Sequence, residues 1–539
     1  MDLRWRCALA LAIVIGSHQV VAQRPSATMP SPSAAAMDAH LRYLADDLLE
    51  GRGPGTRGGT LAAKYIAAQF EALGLEPAGP DGSFFQPVAL VGMKPAPEFS
   101  WGASGQARSL NYGDDFVAWA ETPDSTVRVP GAEVVFVGYG IQAPEWQWDD
   151  YQGLDARGKV LLMLVNDPGL QDSTIFQGRA LTYYGRWTYK LEQGARMGAA
   201  AVILIHTTAS ATYPWSVVRG SWSVEQFKLD RPHSPSLSLA GWVTEDAART
   251  ALAGSGWGLD SLIQAAGRRD FRPVHTGLTA DIAVRSTVRH INSVNVVAKL
   301  SGADPALGRE AVLFTAHWDH KGIGPTVRGD SIYNGAEDNA SGVAAMLAAA
   351  QALTAVRPRP KRTLVFVATT AEESGLLGSE SYTTQPVVPL ARTAAVINLD
   401  VANVRGRTRD VAALGVERSS LGMLFRRAAA AEGLVATGDP DPAKGSFFRS
   451  DHFPLARAGV PGLSIEPGID FVGRPGGWGR EQNTRYNEER YHQPSDEYTG
   501  DFTYDGMVQE VRVAMRVAIT VANAASLPVW LPGAEFHRR

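Results

Sequence analysis

The sequence of 539 residues contains a single cysteine, Cys7. This residue lies in an apolar stretch at the N-terminus, so the chain that follows it holds no thiol. A chain without thiols has no disulfides, no Cys-ligated zinc site and no cysteine nucleophile. Any metal site or catalytic site must therefore be built from histidine, carboxylate, hydroxyl and amine side chains.

Long runs of lysine and arginine are also missing from the sequence. The chain carries 51 basic and 55 acidic residues, which gives a formal net charge of −4. A nearly balanced charge offers no basic surface for nucleic acid or for an anionic membrane. The composition therefore predicts neither kind of partner.

The N-terminus has the pattern of a secretory signal peptide. Residues 1–22 carry two arginines, then an apolar core at 7–16, and small residues before a predicted cleavage point after Ala22. The core is too short to cross about 30 Å of hydrocarbon, which disfavours a membrane anchor. Residues 23–36 are rich in Pro, Ser and Ala and predict a flexible leader. We expect a secreted or periplasmic protein.

The rest of the chain changes character twice. Residues 37–93 predict the first part of one domain, with helices at 38–50 and 60–73. Residues 94–289 consist of short β-rich runs with many Gly, Pro and Trp, which indicates an inserted module. In residues 290–530, apolar strand candidates alternate with helical patterns. This alternation predicts an α/β fold with a mixed, mostly parallel sheet flanked by helices.

Three apolar strand candidates in the second half each lead into a ligand-type residue. Chemistry in open α/β sheets lies outside the carboxyl ends of strands, so these residues are expected at one edge of the sheet. Other candidates lie in loops, one of them just before a helix of small residues. The candidate histidines and carboxylates are His317, Asp338, Glu372, Glu373, Asp400 and His492.

Imidazole and carboxylate side chains together favour Zn²⁺ over Mg²⁺ or Ca²⁺, while Mn²⁺ and Co²⁺ stay open. Two zinc ions about 3.5–4 Å apart repel each other, and a bridging carboxylate and a bridging hydroxide supply negative charge between them. Asp338 is the predicted bridge. With Glu373, Asp400 and neutral His317 and His492, three carboxylates and one hydroxide bring the two ions close to neutrality.

Adjacent side chains on an extended segment point in opposite directions, so Glu373 is predicted to bind metal and Glu372 to face the substrate. Glu372 is then the general base, which takes a proton from the metal-bridging water and passes it to the leaving amine. Asp319 lies two residues beyond His317 and is predicted to accept the second N–H of that imidazole. Arg449 is predicted to contact a substrate carbonyl or carboxylate.

The segment RSDH contains the three residue types of a serine-protease triad. Three consecutive residues cannot converge as nucleophile, base and orienting group, so the segment is interpreted as a loop that faces the substrate. His320 is predicted to be structural, and no role is assigned to Glu337.

The motifs HWDHKG, NGAEDNASG, AEESGLLGS, INLD, RSDHFP and YHQPSDE resemble, in order, those of the dizinc exopeptidase family. This family includes secreted bacterial aminopeptidases and, more distantly, glutamate carboxypeptidase and the transferrin receptor. The resemblance covers about residues 38–93 and 291–524. It implies the zinc exopeptidase fold, two Zn²⁺ ions per chain and the same ligands and base. It also implies that Tyr491 helps to hold the oxyanion.

Residues 135–169 and 190–206 are similar to a protease-associated domain, a β-rich module that members of this family carry at this place. The resemblance implies that residues 94–289 cover the active site and limit substrate size.

The leading expectation is a zinc aminopeptidase that acts on peptides. A glutaminyl cyclase with one zinc is an alternative, disfavoured because all five dizinc positions are present. A carboxypeptidase for acidic peptides would need a basic pocket, and the sequence displays no obvious arginine cluster. A metal-free receptor is disfavoured because no ligand is replaced. The preferred N-terminal residue and the oligomeric state stay open.

Overall fold

The computed structural model describes residues 29–103, 106–230 and 237–538. The predicted signal peptide, residues 1–22, lies outside these ranges, and so does the first part of the predicted leader. Within the described ranges, no helix is both long enough and apolar enough to cross a membrane.

The α-helices of the described chain are α1 Ala34–Leu44, α2 Arg57–Ala72, α3 Trp187–Arg196, α4 Thr208–Ala211, α5 Trp215–Trp222, α6 Glu245–Gly254, α7 Leu259–Ala266, α8 Gly342–Thr354, α9 Leu377–Thr384, α10 Leu421–Ala431, α11 His452–Arg457, α12 Trp478–Glu489 and α13 Asp505–Asn523.

The strands are β1 Glu76–Pro77, β2 Phe85–Ala103, β3 Arg108–Ser109, β4 Phe116–Ala120, β5 Thr126–Phe136, β6 Gln142–Ala143, β7 Trp148–Asp149, β8 Val160–Leu164, β9 Ala201–His206, β10 Gln226–Leu229, β11 Leu239–Thr244, β12 Val274–Leu300, β13 Ala311–His317, β14 Gly322–Val327, β15 Asp330–Tyr333, β16 Thr363–Thr369, β17 Thr393–Leu399, β18 Asp410–Leu414, β19 Val435–Thr437 and β20 Gly462–Glu466.

The second half of the chain builds a mixed sheet in the order β19-β18-β20-β17-β13-β16-β12. The central strand β13 is parallel to both of its neighbours, β16 and β17. The pairs β12–β16 and β18–β20 are antiparallel. The predicted α/β class with a mixed, mostly parallel sheet is confirmed.

The central strands are buried along their whole length because helices cover both faces of the sheet. Alternate residues of β13 point to opposite sides, as the period of a strand requires. Val312 and Phe314 join a core formed with α1, α2, α8 and α13. Ala311 and Leu313 pack on the other face, with Tyr382 of α9 and with α11. A sheet buried on both faces explains the unbroken apolar runs of the sequence.

Two long strands connect the second half of the chain to the inserted region. β2 pairs with β12 in antiparallel register from Phe85 and Val296 at one end to Ala103 and Leu278 at the other. The predicted domain limits at 93/94 and 289/290 therefore fall inside continuous strands. Beyond them, β5, β8, β9, β11 and β4 extend the sheet and enclose separate apolar cores together with helices α3, α5, α6 and α7.

The predicted helix at 38–50 is divided into α1 and a short 3₁₀ helix, Asp47–Arg52, and the predicted helix at 60–73 is present as α2. α1 begins at Ala34 rather than at residue 38, because the Ser33 hydroxyl accepts the amide N–H of Ala36 and caps the helix. The last residues of the predicted leader are therefore helical. α2 begins at Arg57, where the Thr56 side chain supplies the cap.

Candidate metal centre

The carboxyl ends of three neighbouring strands bring four of the candidate residues to one edge of the sheet. His317 is the last residue of β13, and Asp400 directly follows β17. Glu372 and Glu373 come three and four residues after the end of β16. Because β13 is parallel to both other strands, all three ends meet at the same edge.

Asp338 reaches this edge from a helical turn, Ala336–Ser341, that leads into α8. The carboxylate of Asp496 accepts the amide N–H of Glu337 at 3.1 Å through one oxygen and that of Asp338 at 3.1 Å through the other. His492 lies four residues before Asp496. The segment that holds the backbone of Asp338 therefore also delivers the second histidine.

The two oxygens of the Asp338 carboxylate face different histidines. Oδ1 lies 3.3 Å from Nε2 of His317, which is also 3.2 Å from Oδ1 of Asp400. Oδ2 lies 3.3 Å from Nε2 of His492, which is also 3.1 Å from Oε2 of Glu373. Asp338 thus stands between two sets of donor atoms, each with one imidazole nitrogen and one further carboxylate.

These donor atoms fit zinc. Two ligands of a tetrahedral zinc ion with bonds of about 2.0–2.1 Å lie about 3.3 Å apart, close to the spacing observed here. Nε2 of His317 also lies 3.8 Å from Oε2 of Glu372, so this one nitrogen faces three carboxylates. A single N–H cannot serve three acceptors, whereas a lone pair directed at a cation suits all of them. His317 belongs to two groups of three residues whose possible ligand atoms all lie within 4.8 Å of one another. One group contains Asp338 and Glu373, and the other contains Glu372 and Asp400.

The two adjacent glutamates have opposite electrostatic surroundings. Burial raises the pKa of Glu372 well above its usual value, and the negative charges of Glu373 and Asp400 add to this rise. Burial also disfavours the charged form of Glu373, but the positive charges of His492 and Lys321 outweigh it and hold its pKa well below the usual range. Glu372 therefore binds a proton readily, and Glu373 stays ionised.

Asp319 supports the site in a different way from the prediction. Nδ1 of His317 lies 3.1 Å from the backbone oxygen of Asp319, while the carboxylate oxygen is 4.0 Å away. The carboxylate instead accepts the amide N–H of Glu372 at 3.2 Å. The predicted contact between the Asp319 side chain and the imidazole was wrong because the chain turns after β13. Asp319 orients His317 through its backbone and Glu372 through its side chain.

The RSDH segment lies beneath the site and forms no triad. The hydroxyl of Ser450 donates to Oδ2 of Asp400 at 2.6 Å, and the buried Asp451 accepts a hydrogen bond from Thr369. His452 is buried, and burial lowers its pKa to about 3. Arg449 is exposed. The prediction that the whole segment faces the substrate was therefore wrong for every residue except Arg449, whose contact with substrate stays a prediction.

The ring of Tyr491 stacks on the ring of His492, with centroids 3.8 Å apart and planes inclined by 24°. Burial raises the pKa of the Tyr491 hydroxyl, and the charge of Arg449 opposes that rise. The phenol therefore stays protonated at neutral pH and can donate a hydrogen bond.

Sequence reasoning missed the basic partners of two carboxylates, Glu373 and Glu337, and a clamp around the site. Lys321 contacts Glu373, with Nζ 2.9 Å from Oε2. The ring of His320, predicted to be structural, places Nδ1 2.5 Å from Oε1 of the same carboxylate, although the ring N–H is not aligned for a hydrogen bond. Glu337, which had no assigned role, pairs with Arg405 and lies 3.3 Å from Arg490.

The clamp comes from the first part of the chain. Arg52 is almost fully buried, and its guanidinium donates to the backbone oxygens of Trp318 at 2.8 Å and Gly335 at 2.9 Å. It thereby joins the loop after His317 to the loop before Asp338. An arginine in a Gly/Pro-rich turn carries no signal of this function, so the sequence alone could not reveal it.

The chain is similar in sequence to known peptidases. Residues 295–514 match the model of Peptidase family M28. A vacuolar membrane protease of Saccharomyces cerevisiae is 34% identical over 122 residues, which cover 23% of this chain and 11% of the relative. A probable zinc metalloprotease of Pyrenophora teres is 37% identical over 113 residues, 21% of this chain and 23% of that protein. The matches thus span only a small part of these curated relatives.

Among solved structures, the chain is similar to an aminopeptidase from Aneurinibacillus sp. strain AM-1. The identity is 19% and the TM-score is 0.49, over 94% of this chain and 98% of the other.

Proposed function

We propose that the protein, whose residues 295–514 match the model of Peptidase family M28, is a zinc-dependent exopeptidase that removes N-terminal residues from peptides with two zinc ions. One observation carries this proposal. The carboxylate of Asp338 faces His317 with one oxygen and His492 with the other, which supports a bridge between two metal positions.

The first position comprises His317 and Asp400, and the second comprises His492 and Glu373, with Asp338 common to both. Zinc bound there would polarise the scissile carbonyl and lower the pKa of water.

Glu372 is the proposed general base. Its Oε2 lies 3.8 Å from Nε2 of His317, beside the first metal position. The raised pKa of this carboxyl suits a group that must take a proton from water and then deliver it to the leaving amine. Asp319 holds the backbone of Glu372, and the protonated hydroxyl of Tyr491 is a candidate donor to the oxyanion.

We also propose secretion after cleavage behind Ala22, and a protease-associated role for residues 94–289. Contacts between the inserted region and the second half of the chain support this role. Glu192 lies 2.5 Å from Arg457, and the amide N–H of Leu181 donates to the backbone oxygen of Pro442 at 3.0 Å. The proposed partners are peptides, with neither nucleic acid nor membrane.

One observation favours a second candidate, an exopeptidase that recognises a free carboxylate. Arg186 of the inserted region and Arg449 line the same small cavity. Burial and the charge of Arg449 lower the pKa of Arg186 to about 10. Across residues 29–103, 106–230 and 237–538, no carboxylate lies within 4.0 Å of either guanidinium. The structure thus brings together arginines that are far apart in the sequence.

A matched set of substrates separates the two candidates. Leucine p-nitroanilide and Leu-Leu-amide have a free amine and no carboxylate, whereas acetyl-Leu-Leu has a carboxylate and no free amine. The mature protein, with its zinc content measured on the same sample, should hydrolyse the first two and leave the third intact. Hydrolysis of acetyl-Leu-Leu alone would replace the aminopeptidase proposal with the carboxypeptidase.

The double variant Arg186→Gln/Arg449→Gln checks the cavity. If the arginines bind substrate carboxylate, KM for Leu-Leu should rise and KM for Leu-Leu-amide should not. Equal changes for both substrates would remove the second candidate.

A further inference from the structure

The two proposed metal positions differ in one charge. On the His492 side, the ammonium of Lys321 lies 2.9 Å from Oε2 of Glu373, the same oxygen that is 3.1 Å from Nε2 of His492. Nζ also donates to the backbone oxygen of Glu373 at 3.4 Å. A permanent cation therefore shares the lone pairs of a proposed metal ligand.

The His317 side has no such cation. Oδ2 of Asp400 accepts the neutral hydroxyl of Ser450 at 2.6 Å, and that hydroxyl in turn accepts from the amide of Asn398 at 2.7 Å. In the parts of the chain that the structure describes, no lysine or arginine nitrogen lies within 4.0 Å of the Asp400 carboxylate. The two positions thus share ligand types. They differ in the group that stabilises the carboxylate belonging to one position alone, Asp400 on the His317 side and Glu373 on the His492 side.

A positive charge a few ångströms from a dication opposes its binding, and partial burial weakens the screening by water. Lys321 is one-third exposed, so its side chain can swing away from Glu373 when another cation takes its place. When no metal is present, the ammonium keeps the buried Glu373 carboxylate paired, which avoids an uncompensated charge.

We propose that Lys321 is a built-in counter-cation of the second metal position, which makes that position the weaker of the two and keeps Glu373 in place while it is empty. The inference rests on the proposed dizinc site. It predicts that the protein loads metal in order, the His317 side first and the His492 side second.

The test is a zinc titration of the full mature chain after a chelator has removed bound metal. A second, chromophoric chelator competes for zinc during the titration, so that small dissociation constants can be measured. The wild type should bind two ions with dissociation constants at least about tenfold apart. Lys321→Met should tighten the weaker binding by about tenfold or more and leave the stronger one unchanged. Lys321→Arg keeps the charge and should behave as the wild type does, and His492→Ala should lose the weaker binding.

The inference is overturned if Lys321→Met leaves the second dissociation constant unchanged or weakens it. It is also overturned if wild type and Lys321→Met both bind a single ion. A wild type that binds one ion and a Lys321→Met that binds two would support it. If the protein binds two zinc ions with unequal dissociation constants but hydrolyses no peptide, the proposed activity is contradicted and the proposed role of Lys321 is not.

Discussion

Two clusters of buried ionisable side chains in the described chain obtain their positive charge differently. In the inserted region, Lys190 is fully buried near Asp150 and Asp167. Its ammonium donates to the backbone oxygens of Asn166 at 2.9 Å and Tyr184 at 2.6 Å. The two aspartates accept further hydrogen bonds from backbone and side chains. This cluster contains its own cation and its own donors.

At the sheet edge, the carboxylates of Asp338, Glu372, Glu373 and Asp400 outnumber the permanent cations. The imidazole nitrogen of His317 faces three of these carboxylates at once. The difference shows how to distinguish a structural acidic cluster from a metal site. The first is neutralised from within, whereas the second has too few permanent cations for its carboxylates, which suits an added cation.

The largest expected effect comes from Glu372→Gln. The variant keeps the shape of the side chain and cannot take a proton, so kcat should fall by about 10²–10⁴-fold while the zinc content stays unchanged. Glu488→Gln, at an exposed position, is the matched control. Turnover equal to that of the control would remove Glu372 from the chemistry.

Lys190→Met should disrupt the inserted cluster. The change leaves two buried carboxylates without their cation, which typically costs about 3–5 kcal/mol of folding stability. Urea and thermal unfolding of the variant should show this loss, compared with Lys64→Met at an exposed position. An unchanged midpoint would mean that Lys190 does not neutralise these carboxylates.

The stability deficit of Lys190→Met should depend on pH. Burial raises the pKa of Asp150 to about 7 and that of Asp167 to about 6, and it lowers the pKa of Lys190 to about 7. The charge of Lys190 restrains the rise at both carboxyls, so their pKa values should rise further in the variant. A carboxyl whose pKa is raised in the folded state favours folding at low pH and loses that contribution as pH rises through the folded pKa. The deficit should therefore be larger at pH 8 than at pH 5. A deficit that grows toward pH 5 would contradict this sign.

Ser450→Ala should have a smaller effect at the sheet edge. Loss of the hydroxyl leaves Oδ2 of Asp400 without its donor, and such supporting hydrogen bonds typically contribute about 10–100-fold to metal affinity. Zinc affinity should fall by that factor, and Ser109→Ala, at an exposed position, should leave it unchanged. An equal loss of zinc affinity in both variants would mean that the Ser450 hydroxyl does not support metal binding.

The sequence predicted the sheet edge well because strand period and residue type act locally. Apolar runs ending in His317 and Asp400 predict strands whose carboxyl ends meet, and the structure has this arrangement. The sequence could not predict which side chains hold the candidate site residues in position. Arg52, Ser450 and Asp496 act through contacts with backbone or with distant segments, and residue type alone does not indicate which partner such a side chain finds.

The role of Asp319 illustrates the limit of pattern reasoning. Two residues after a strand end, the side chain points toward the neighbour only if the strand continues. Here β13 stops at His317 and the chain turns, so the backbone oxygen and not the carboxylate meets the imidazole.

The most direct test of the central claim is the zinc content of the wild type and of Asp338→Asn, measured by elemental analysis on the same dialysed preparations. If Asp338 bridges two positions, the wild type should hold two zinc ions per chain and the variant at most one, because an amide carries no charge and offers a single oxygen. Two ions retained in Asp338→Asn, or a single ion in both the wild type and Lys321→Met, would contradict the bridge.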